Sequence, residues 1–217
     1  MRQEIMVERA VPWCVNGVAQ RPFLCTPEHE EELALGHLLS QGVLLGHGEA
    51  RATRSASGEI QVETAAGLPL QGEDAVARLH GREALNSPLT VSREALRREC
   101  QALLEAGELF GTHRVTLMGP KGRVIREDVG RHNAVDKCAG HAFLGGWQMA
   151  ECVMGCTGRV SLEMLAKAAM LGVPVFFTAK YPSDLAVQWA EKVGIAILAR
   201  AHRPDAAVYG AAWRIID

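Results

Sequence analysis

The densest run of reactive side chains spans residues 126–137, which read Arg-Glu-Asp-Val-Gly-Arg-His-Asn-Ala-Val-Asp-Lys. A strand-like apolar run precedes it and a helix-like pattern follows, so the sequence predicts a loop that opens a helix. Gly130 could take a positive φ, and Asn133 is a candidate helix N-cap. Arg131 and His132 would then lie beside a helix N-terminus, where free N–H groups favour an anion. The alternative is a solvated loop that gathers ion pairs.

The composition narrows the classes of protein that could carry such a loop. The chain has 217 residues, enough for one domain or one domain with an appendage, and its 48% hydrophobic content is ample for a core. The formal net charge of −2 gives no general attraction to nucleic acid or to an acidic membrane. The N-terminus lacks the apolar segment of a signal peptide, and no apolar run could span a bilayer. We therefore expect a cytoplasmic protein, with a homodimer as the default oligomer.

Six cysteines are present and are expected to be thiols in a reducing cytosol: Cys14, Cys25, Cys100, Cys138, Cys152 and Cys156. Most lie on predicted strands or helices, where a free cysteine usually packs. Cys156 is the weak candidate for a nucleophile, because it is predicted in a glycine-flanked loop beside Arg159, whose charge would lower the pKa of the thiol. Cys152 and Cys156 could form a zinc site with His132, but the zinc-deaminase signature is absent, so we predict no metal site.

The N-terminal part, residues 1–90, is predicted to hold a hairpin, a helix and a strand. Asn-Gly at 16–17 lies between apolar runs and predicts a hairpin turn. Thr26, followed by Pro and Glu, is typical of a helix N-cap. The alternating residues 59–63 predict a strand with one wet face.

Residues 91–217 are predicted to form a three-layer mixed α/β sheet, possibly continuous with the N-terminal part as one domain. Ser92 is predicted to cap the first helix, and the alternation of strands and helices that follows is typical of a largely parallel sheet. Open α/β sheets place ligands beyond the carboxyl ends of their strands. Four polar loops fall at such ends: 126–132, 155–159, 180–184 and 200–205. The last carries Arg200, His202 and Arg203, which suit a phosphate or pyrophosphate. The alternative is a basic surface loop, and neither a Walker motif nor G-x-G-x-x-G is present.

Five stretches resemble the FdhD/NarQ family, in the family's order and spacing, and together they cover most of the chain. The densest is Asp-Val-Gly-Arg-His-Asn-Ala-Val-Asp-Lys at 128–137. The others are Thr-Pro followed by Glu-Glu-Leu-Ala-Leu-Gly within 26–36, Gly-Thr-His at 111–113, Gly-Arg-Val-Ser-Leu-Glu-Met at 158–164, and helix and strand elements within 185–195. Matches in this order are far more specific than any single motif.

The resemblance implies an accessory protein of formate dehydrogenase maturation with a cytidine-deaminase-like sheet topology. Members of the family take persulfide sulfur from a cysteine desulfurase and transfer it to the molybdenum cofactor. The implied ligand is molybdenum bis(molybdopterin guanine dinucleotide), so guanosine diphosphate is the expected analogue. The implied partners are formate dehydrogenase and, if sulfur transfer is retained, a cysteine desulfurase.

The resemblance also implies a set of binding residues. Arg131, Arg159 and Arg203 would hold phosphates. His132 and Asp136 are four residues apart and would meet on one face of a helix. The complete set is Asp128, Gly130, Arg131, His132, Asn133, Asp136, Lys137, Gly158, Arg159, Arg200, Ala201, His202, Arg203, Pro204 and Asp205.

The family's sulfur-carrying loop, Cys-Gly-x-Cys-Gly, has no counterpart in this chain. The corresponding segment 79–90 contains no cysteine, and sulfur relay needs a thiolate. Near the end of 200–205, this chain reads Pro-Asp where the family usually has Gly and Arg. Two functions therefore stay open: an accessory sulfurtransferase that uses another cysteine, and a non-enzymatic carrier or chaperone for the molybdopterin dinucleotide. A deaminase-like metal hydrolase is the remote third.

Overall fold

The computed structural model describes residues 5–44, 50–65, 74–106 and 111–217. Its strands are β1 (Arg9–Val11), β2 (Trp13–Val15), β3 (Val18–Ala19), β4 (Phe23–Cys25), β5 (Ala50–Arg54), β6 (Ile60–Thr64), β7 (Val91–Ser92), β8 (His113–Gly119), β9 (Gly122–Asp128), β10 (Val153–Cys156), β11 (Val175–Thr178), β12 (Ala196–Ala199), β13 (Ala207–Gly210) and β14 (Ile215–Ile216). Its helices are α1 (Glu30–Ser40), α2 (Ala75–Leu79), α3 (Arg93–Glu105), α4 (Arg131–Leu144), α5 (Leu162–Leu171) and α6 (Asp184–Val193). Within these ranges no helix combines the length and the apolar character needed to cross a membrane.

A six-stranded sheet in the order β13-β12-β11-β10-β8-β9 organises the C-terminal part. β10, β11 and β12 run parallel, whereas β8, β9 and β13 pair antiparallel with their neighbours. The register pairs Cys156 with Thr178 and Thr178 with Ala199, so the carboxyl ends of the parallel strands lie side by side. The predicted mixed sheet with a parallel centre is confirmed, and its likeness to cytidine deaminases stays a prediction.

Helices cover both faces of this sheet, because successive strand residues point to opposite sides. On β11, Phe176 packs into the core cluster that contains the apolar faces of α4, α5 and α6. Val175 and Phe177 pack into a second cluster with Leu96 and Leu103 of α3. The sheet is therefore the middle of three layers.

The N-terminal part adds a sheet in the order β3-β2-β6-β5 and a short β1–β4 pair. The predicted hairpin is confirmed: β2 and β3 pair antiparallel, and Asn16 (φ 49°) and Gly17 (φ 78°) form the turn. The strand predicted at 59–63 is β6. The predicted start of the helix is wrong, because α1 begins at Glu30 and Thr26 instead contacts the loop after β9.

α1 and α4 pack so closely that their backbones touch. A Cβ atom added to Gly36 would overlap the carbonyl oxygen of Asp136, and one added to Gly140 would overlap that of Glu32. α1 belongs to the N-terminal part and α4 to the C-terminal part, and one hydrophobic cluster contains residues of both. The contact holds the charged motif against the N-terminal part, and the domain boundary at residue 90 stays a prediction.

Candidate functional site

The charged motif forms the end of β9 and the first turns of α4. α4 begins at Arg131, and its N-cap is Gly130 with a φ of −101°. The predicted cap at Asn133 and the predicted positive φ of Gly130 are therefore wrong. Asn133 donates its side-chain N–H groups to Asp128 Oδ1 (3.0 Å) and to the carbonyl oxygen of Leu24 (2.8 Å). Asn133 thus ties the loop to β4 instead of capping the helix.

Asp128 and Lys137 form a buried ion pair beneath this loop. Lys137 Nζ lies 2.6 Å from Asp128 Oδ2, and both side chains are fully buried. Asp128 also accepts from the backbone N–H of Thr26 (3.1 Å), and Lys137 donates to the carbonyl oxygen of Thr26 (2.9 Å). Neither side chain is accessible to a ligand, which corrects their prediction as ligand contacts. The ion pair fixes the loop onto the N-terminal part through the backbone of Thr26. The sequence did not reveal this role of Thr26.

The predicted ligand loops after β10, β11 and β12 meet at the carboxyl edge of the sheet, as expected for this topology. The N–H of Val160 donates to the carbonyl oxygen of Tyr181 (3.2 Å), and the N–H of Ala201 donates to that of Thr178 (3.0 Å). The loops therefore form one connected surface, which we call the basic edge. It contains His113, Arg131, Gly158, Arg159, Ser161, Lys180, Arg200, His202 and Arg203, and the same loops also carry the carboxylates of Asp184 and Asp205.

Several buried polar atoms along the basic edge have no hydrogen-bond partner within the described ranges. They are Arg131 Nε, Ser161 Oγ and His202 Nδ1. Gly158 packs closely against two residues of the edge, since a Cβ atom there would lie only 3.2 Å from His113 Nδ1 and 3.4 Å from Arg131 Cδ. Buried polar groups are normally satisfied, and leaving one unpaired costs free energy. The edge is therefore chemically suited to a ligand that brings hydrogen-bond acceptors.

The positive charge of the basic edge comes from its arginines and Lys180. Burial lowers the pKa of His113, and Arg131 and Arg159 lower it further. Burial also lowers the pKa of His202, assisted by Arg203 and its cationic neighbours. Both imidazoles are therefore neutral at pH 7, and the exposed guanidinium of Arg159 is free to approach an anion.

Side chains of the 200–205 loop form an ion pair and a hydrogen bond with one another. Arg200 donates to the hydroxyl of Tyr181 (2.6 Å) and lies 2.8 Å from a carboxylate oxygen of Asp205. Arg203 donates to His202 Nε2 (3.0 Å). Arg200 is thus committed within the protein, whereas Arg203 and Pro204 are exposed and Ala201 is buried.

A pocket of about 510 Å³ lies beside the basic edge, between α1, α2, α4 and α5. It is lined by Arg21, Phe23, His37, Gln41, Asp74, Ala75, Val76, His132, Asn133, Asp136, Glu163 and Lys167. The sequence predicted His132, Asn133 and Asp136 as site residues and missed the others. The spacing of Glu163 and Lys167 could have indicated the pocket, because residues four apart share a face of α5.

A buried ion pair lines this pocket. Lys167 Nζ lies 2.6 and 2.7 Å from the two carboxylate oxygens of Asp136. Asp136 also accepts from Ser40 Oγ (2.6 Å), and His37 Nδ1 lies 3.2 Å away. Burial alone would raise the pKa of Asp136, but Lys167 and His37 outweigh it and lower the pKa to about 2. Asp136 is therefore a carboxylate at neutral pH.

His132 faces Glu163, and the predicted pairing of His132 with Asp136 is wrong. His132 Nε2 lies 3.1 Å from Glu163 Oε2, but outside hydrogen-bond geometry, so this buried nitrogen has no partner. Burial lowers the pKa of His132, and Lys167 and Arg131 lower it further. The imidazole is therefore neutral at pH 7.

Every cysteine of the chain is buried. Cys156, predicted in a loop with a lowered pKa, is the last residue of β10, and its Sγ donates to the carbonyl oxygen of Gly158 (3.2 Å). Burial raises its pKa to about 12, so the prediction of an activated thiol is wrong. Burial also raises the pKa of the other thiols, to about 12 for Cys138, to about 11 for Cys25, Cys100 and Cys152, and to a lesser extent for Cys14.

The segment that corresponds to the family's cysteine loop is fixed at the opposite edge of the sheet. Arg214, which is fully buried, donates to the carbonyl oxygens of Leu85 (3.1 Å) and Ser87 (2.6 Å). Ser87 Oγ donates to the carbonyl oxygen of Ala150 (2.7 Å), and the N–H of Leu85 donates to that of Val193 (2.9 Å). Ala150 precedes β10 and Val193 precedes β12, so this segment lies at the amino ends of the strands, away from the basic edge.

Fold and site together define the class of the molecule: a mixed α/β protein whose basic, incompletely hydrogen-bonded sheet edge adjoins a polar pocket. In the described ranges, no group of three or more His, Cys, Asp or Glu side chains is placed to hold a metal ion.

Comparison with known proteins assigns the family. The model of the FdhD/NarQ family matches residues 6–216. The sulfur carrier protein FdhD of Bacillus subtilis is 30% identical over an alignment of 205 positions, which covers 83% of this chain and 78% of the relative. That of Geobacillus kaustophilus is 31% identical over an alignment of 219 positions, which covers 90% of this chain and 83% of the relative. The chain therefore belongs to the FdhD/NarQ family, as its five sequence stretches predicted.

A solved structure shares the fold. It is described as a formate dehydrogenase accessory protein from Desulfotalea psychrophila, and it matches with a TM-score of 0.83 at 24% identity. The match covers 97% of this chain and 90% of that chain. At this identity the likeness supports the mixed α/β architecture across the whole chain.

Proposed function

We propose that this protein is an accessory factor in formate dehydrogenase maturation that binds the molybdenum cofactor as bis(molybdopterin guanine dinucleotide). Its relatives are named sulfur carrier proteins, and its fold matches a protein described as a formate dehydrogenase accessory protein. In this chain no thiol is exposed. The function that we assign is therefore binding and delivery of the cofactor, without a persulfide on the protein's own cysteines.

One observation carries the ligand part of this proposal: the unpartnered buried polar atoms of the basic edge. Arg131 Nε and Ser161 Oγ are buried donors without acceptors. The diphosphate of a guanine dinucleotide brings several acceptor oxygens in a compact group. Its binding would satisfy these donors and remove the cost of leaving them unpaired.

Different residues of the basic edge would contact different oxygens of the diphosphate. Arg159 is exposed and can fork onto two phosphate oxygens, and Arg131 adds charge and an N–H from the first turn of α4. The first N–H groups of α5 follow Ser161, whose side chain does not cap them, and they favour an anion. Arg203 is the third candidate for phosphate contact. The cofactor is cargo here, and its redox chemistry belongs to the enzyme that receives it.

Sulfur relay through this chain is disfavoured by the state of its cysteines. A sulfur carrier attacks and releases sulfur as an accessible thiolate with a pKa near the ambient pH. Burial raises the pKa of Cys156 and Cys138 to about 12, far from that requirement. The segment that would carry the family's cysteine loop has none, and Arg214 holds it at the wrong edge of the sheet.

The partners follow from this assignment. Formate dehydrogenase is the protein that would receive the cofactor. A cysteine desulfurase would be a partner only if one of the thiols proved reactive. We include in the proposal a cytoplasmic location and a homodimer, both expected from the sequence.

Calorimetric titration of the full chain with guanosine diphosphate at low salt tests the binding part. We expect saturable binding, and we expect Arg159→Ala to weaken it by roughly 1.5–3 kcal/mol, because a charged hydrogen bond is lost. Arg98→Ala is the matched control, since Arg98 is exposed on α3 and outside the basic edge. Absence of both a heat of binding and a thermal shift with the unmodified chain would contradict the proposal.

Incubation with a cysteine desulfurase and labelled cysteine, followed by mass spectrometry, tests the sulfur part. We expect no reducible label on any cysteine, because all are buried. Cys156→Ser is the control variant. Label that is present on the unmodified chain and absent from this variant would identify a relocated sulfurtransferase and overturn the sulfur part alone.

A further inference from the structure

The pocket of about 510 Å³ and the basic edge share the first turns of two helices. Arg131 belongs to the edge and His132, the next residue of α4, lines the pocket. Consecutive side chains point about 100° apart around a helix, so one turn can serve both places. On α5, Ser161 lies at the edge and Glu163 lines the pocket. A single ligand can therefore place an anionic group at the edge and a ring in the pocket.

Lys167 does not make the pocket a second phosphate site. Its Nζ lies 2.9 Å from Ser40 Oγ and 2.6 and 2.7 Å from the two carboxylate oxygens of Asp136. Its three N–H donors are therefore engaged, and its charge is neutralised by Asp136 at hydrogen-bond distance. The wall that these side chains form is fixed and neutral, which suits an uncharged polar ring better than an anion.

Glu163 has a different status from the other carboxylates of the pocket. Asp136 accepts from Lys167 and Ser40, and Asp74 Oδ1 accepts from two backbone N–H groups at the start of α2 (3.0 Å each). The side chain of Glu163 is 67% exposed, and it accepts no hydrogen bond from any described residue, since its contact with His132 lacks the geometry. It therefore presents two acceptor oxygens to an occupant of the pocket.

We propose that this pocket takes a planar ring with a 2-amino-4-oxopyrimidine face, and that Glu163 accepts from the ring N–H and the amino group. This face carries two N–H donors side by side, and a carboxylate is the side chain with two matching acceptors. Phe23, stacked on Trp13 with ring centroids 4.6 Å apart, gives the pocket an aromatic wall. The volume lies in the range of small-molecule sites. The inference rests on the proposed function, because the guanine and the pterin of the cofactor both carry this face.

Glu163→Gln tests the inference by reversing one hydrogen bond. Glutamine offers one acceptor and one donor, which match the N–H and 2-oxo group of xanthine or of lumazine. Calorimetry on the full chain compares guanosine diphosphate with xanthosine diphosphate, and pterin with lumazine. For the pair that occupies the pocket, the unmodified chain should prefer the 2-amino ring by roughly tenfold or more. Glu163→Gln should abolish or reverse that preference.

Glu191→Gln is the matched control, because Glu191 is an exposed carboxylate on α6 outside the pocket. Melting curves by circular dichroism establish that each variant is folded. A reversal within the nucleotide pair assigns guanine to the pocket, and a reversal within the pteridine pair assigns pterin. An unchanged preference in both pairs overturns the inference.

Arg159→Ala separates a failure of this inference from a failure of the proposed function. If guanosine diphosphate binding depends on Arg159 and Glu163→Gln changes the preference within neither pair, cofactor binding stands and the pocket assignment falls. If none of the four probes binds the unmodified chain, both fall. If only the pteridine pair binds and responds to Glu163→Gln, the pocket assignment stands and the phosphate site at the basic edge falls.

Discussion

The charged side chains of the motif at residues 126–137 fall into two groups, which the fold places in different environments. In the interior, Lys137 pairs with Asp128 and Lys167 pairs with Asp136, and all of these side chains are buried. At the basic edge, Arg131 keeps a buried Nε without a partner. A buried charge without a counter-charge is costly. The comparison therefore separates the charges that hold the fold from those that await a ligand.

The largest effect is expected where an interior pair is broken. Asp136→Asn leaves Lys167 charged and buried, so the free energy of unfolding should fall by about 3–5 kcal/mol, measured by urea denaturation. Glu191→Gln, on the surface of α6, is the control and should be close to neutral. The double variant Asp136→Asn with Lys167→Met should recover part of the loss, because an apolar replacement of a buried pair is tolerated. A loss below about 1 kcal/mol in the single variant would remove Asp136 from the interior group.

The second largest loss of stability is expected where the backbones of α1 and α4 touch, beside the interior pairs. Gly140→Ala places a methyl group inside the van der Waals radius of the carbonyl oxygen of Glu32, and both atoms belong to helix backbones that cannot yield separately. We expect thermal and urea unfolding to show a loss of about 1–3 kcal/mol or more. Gly81→Ala is the matched control, since no atom lies within 4 Å of the added Cβ. Equal losses in the two variants would show that the close approach of α1 and α4 is not needed.

Acid should lower the free energy of unfolding by protonating Asp136. Burial opposes its ionisation, but Lys167 and His37 lower its pKa from the ordinary 3.8 to about 2. A carboxylate whose folded pKa is depressed contributes its full stabilisation above the unfolded pKa, and that contribution is lost as the pH falls from about 4 to about 2. It amounts to about 2 kcal/mol, at about 1.36 kcal/mol per pKa unit. Urea unfolding across this range should show a smaller pH dependence for Asp136→Asn than for the unmodified chain, and equal dependence would contradict the assignment.

The local elements could be predicted from the sequence because their signals lie within a few residues. Asn16 and Gly17 place the hairpin turn, and Ser92 caps α3 by accepting from the N–H of Ala95 (3.4 Å). The basic edge was predictable for a related reason. Parallel strands end at one edge, so polar loops that follow successive strands must be neighbours.

The pairing of Asp136 with Lys167 could not be predicted, because the two residues and the side chains around them lie far apart in the sequence. Asp136 meets Ser40 across 96 positions and Lys167 across 31. Asn133 shows how such contacts override local preference. Asparagine is a favourable helix N-cap, but the side chain of Asn133 donates to Asp128, and Gly130 is the N-cap of α4 instead. The pocket was missed for the same reason, since its walls come from four helices that meet only in the folded chain.

The smallest change in stability is expected for two serines, Ser161 and Ser183, each of which stands at the N-cap position of a helix. Ser183 caps α6, since its Oγ accepts from the N–H of Ala186 (3.2 Å), whereas Ser161 precedes α5 and its buried Oγ has no partner. Ser183→Ala should lower the free energy of unfolding by about 1 kcal/mol, and Ser161→Ala by no more than about 0.5 kcal/mol, because no bond is lost. Guanosine diphosphate affinity should respond in the opposite order, falling for Ser161→Ala and staying unchanged for Ser183→Ala. If the two variants lost equal stability and neither affected binding, Ser161 would be an ordinary cap, and the basic edge would lose one of the unpaired groups that set it apart from the interior.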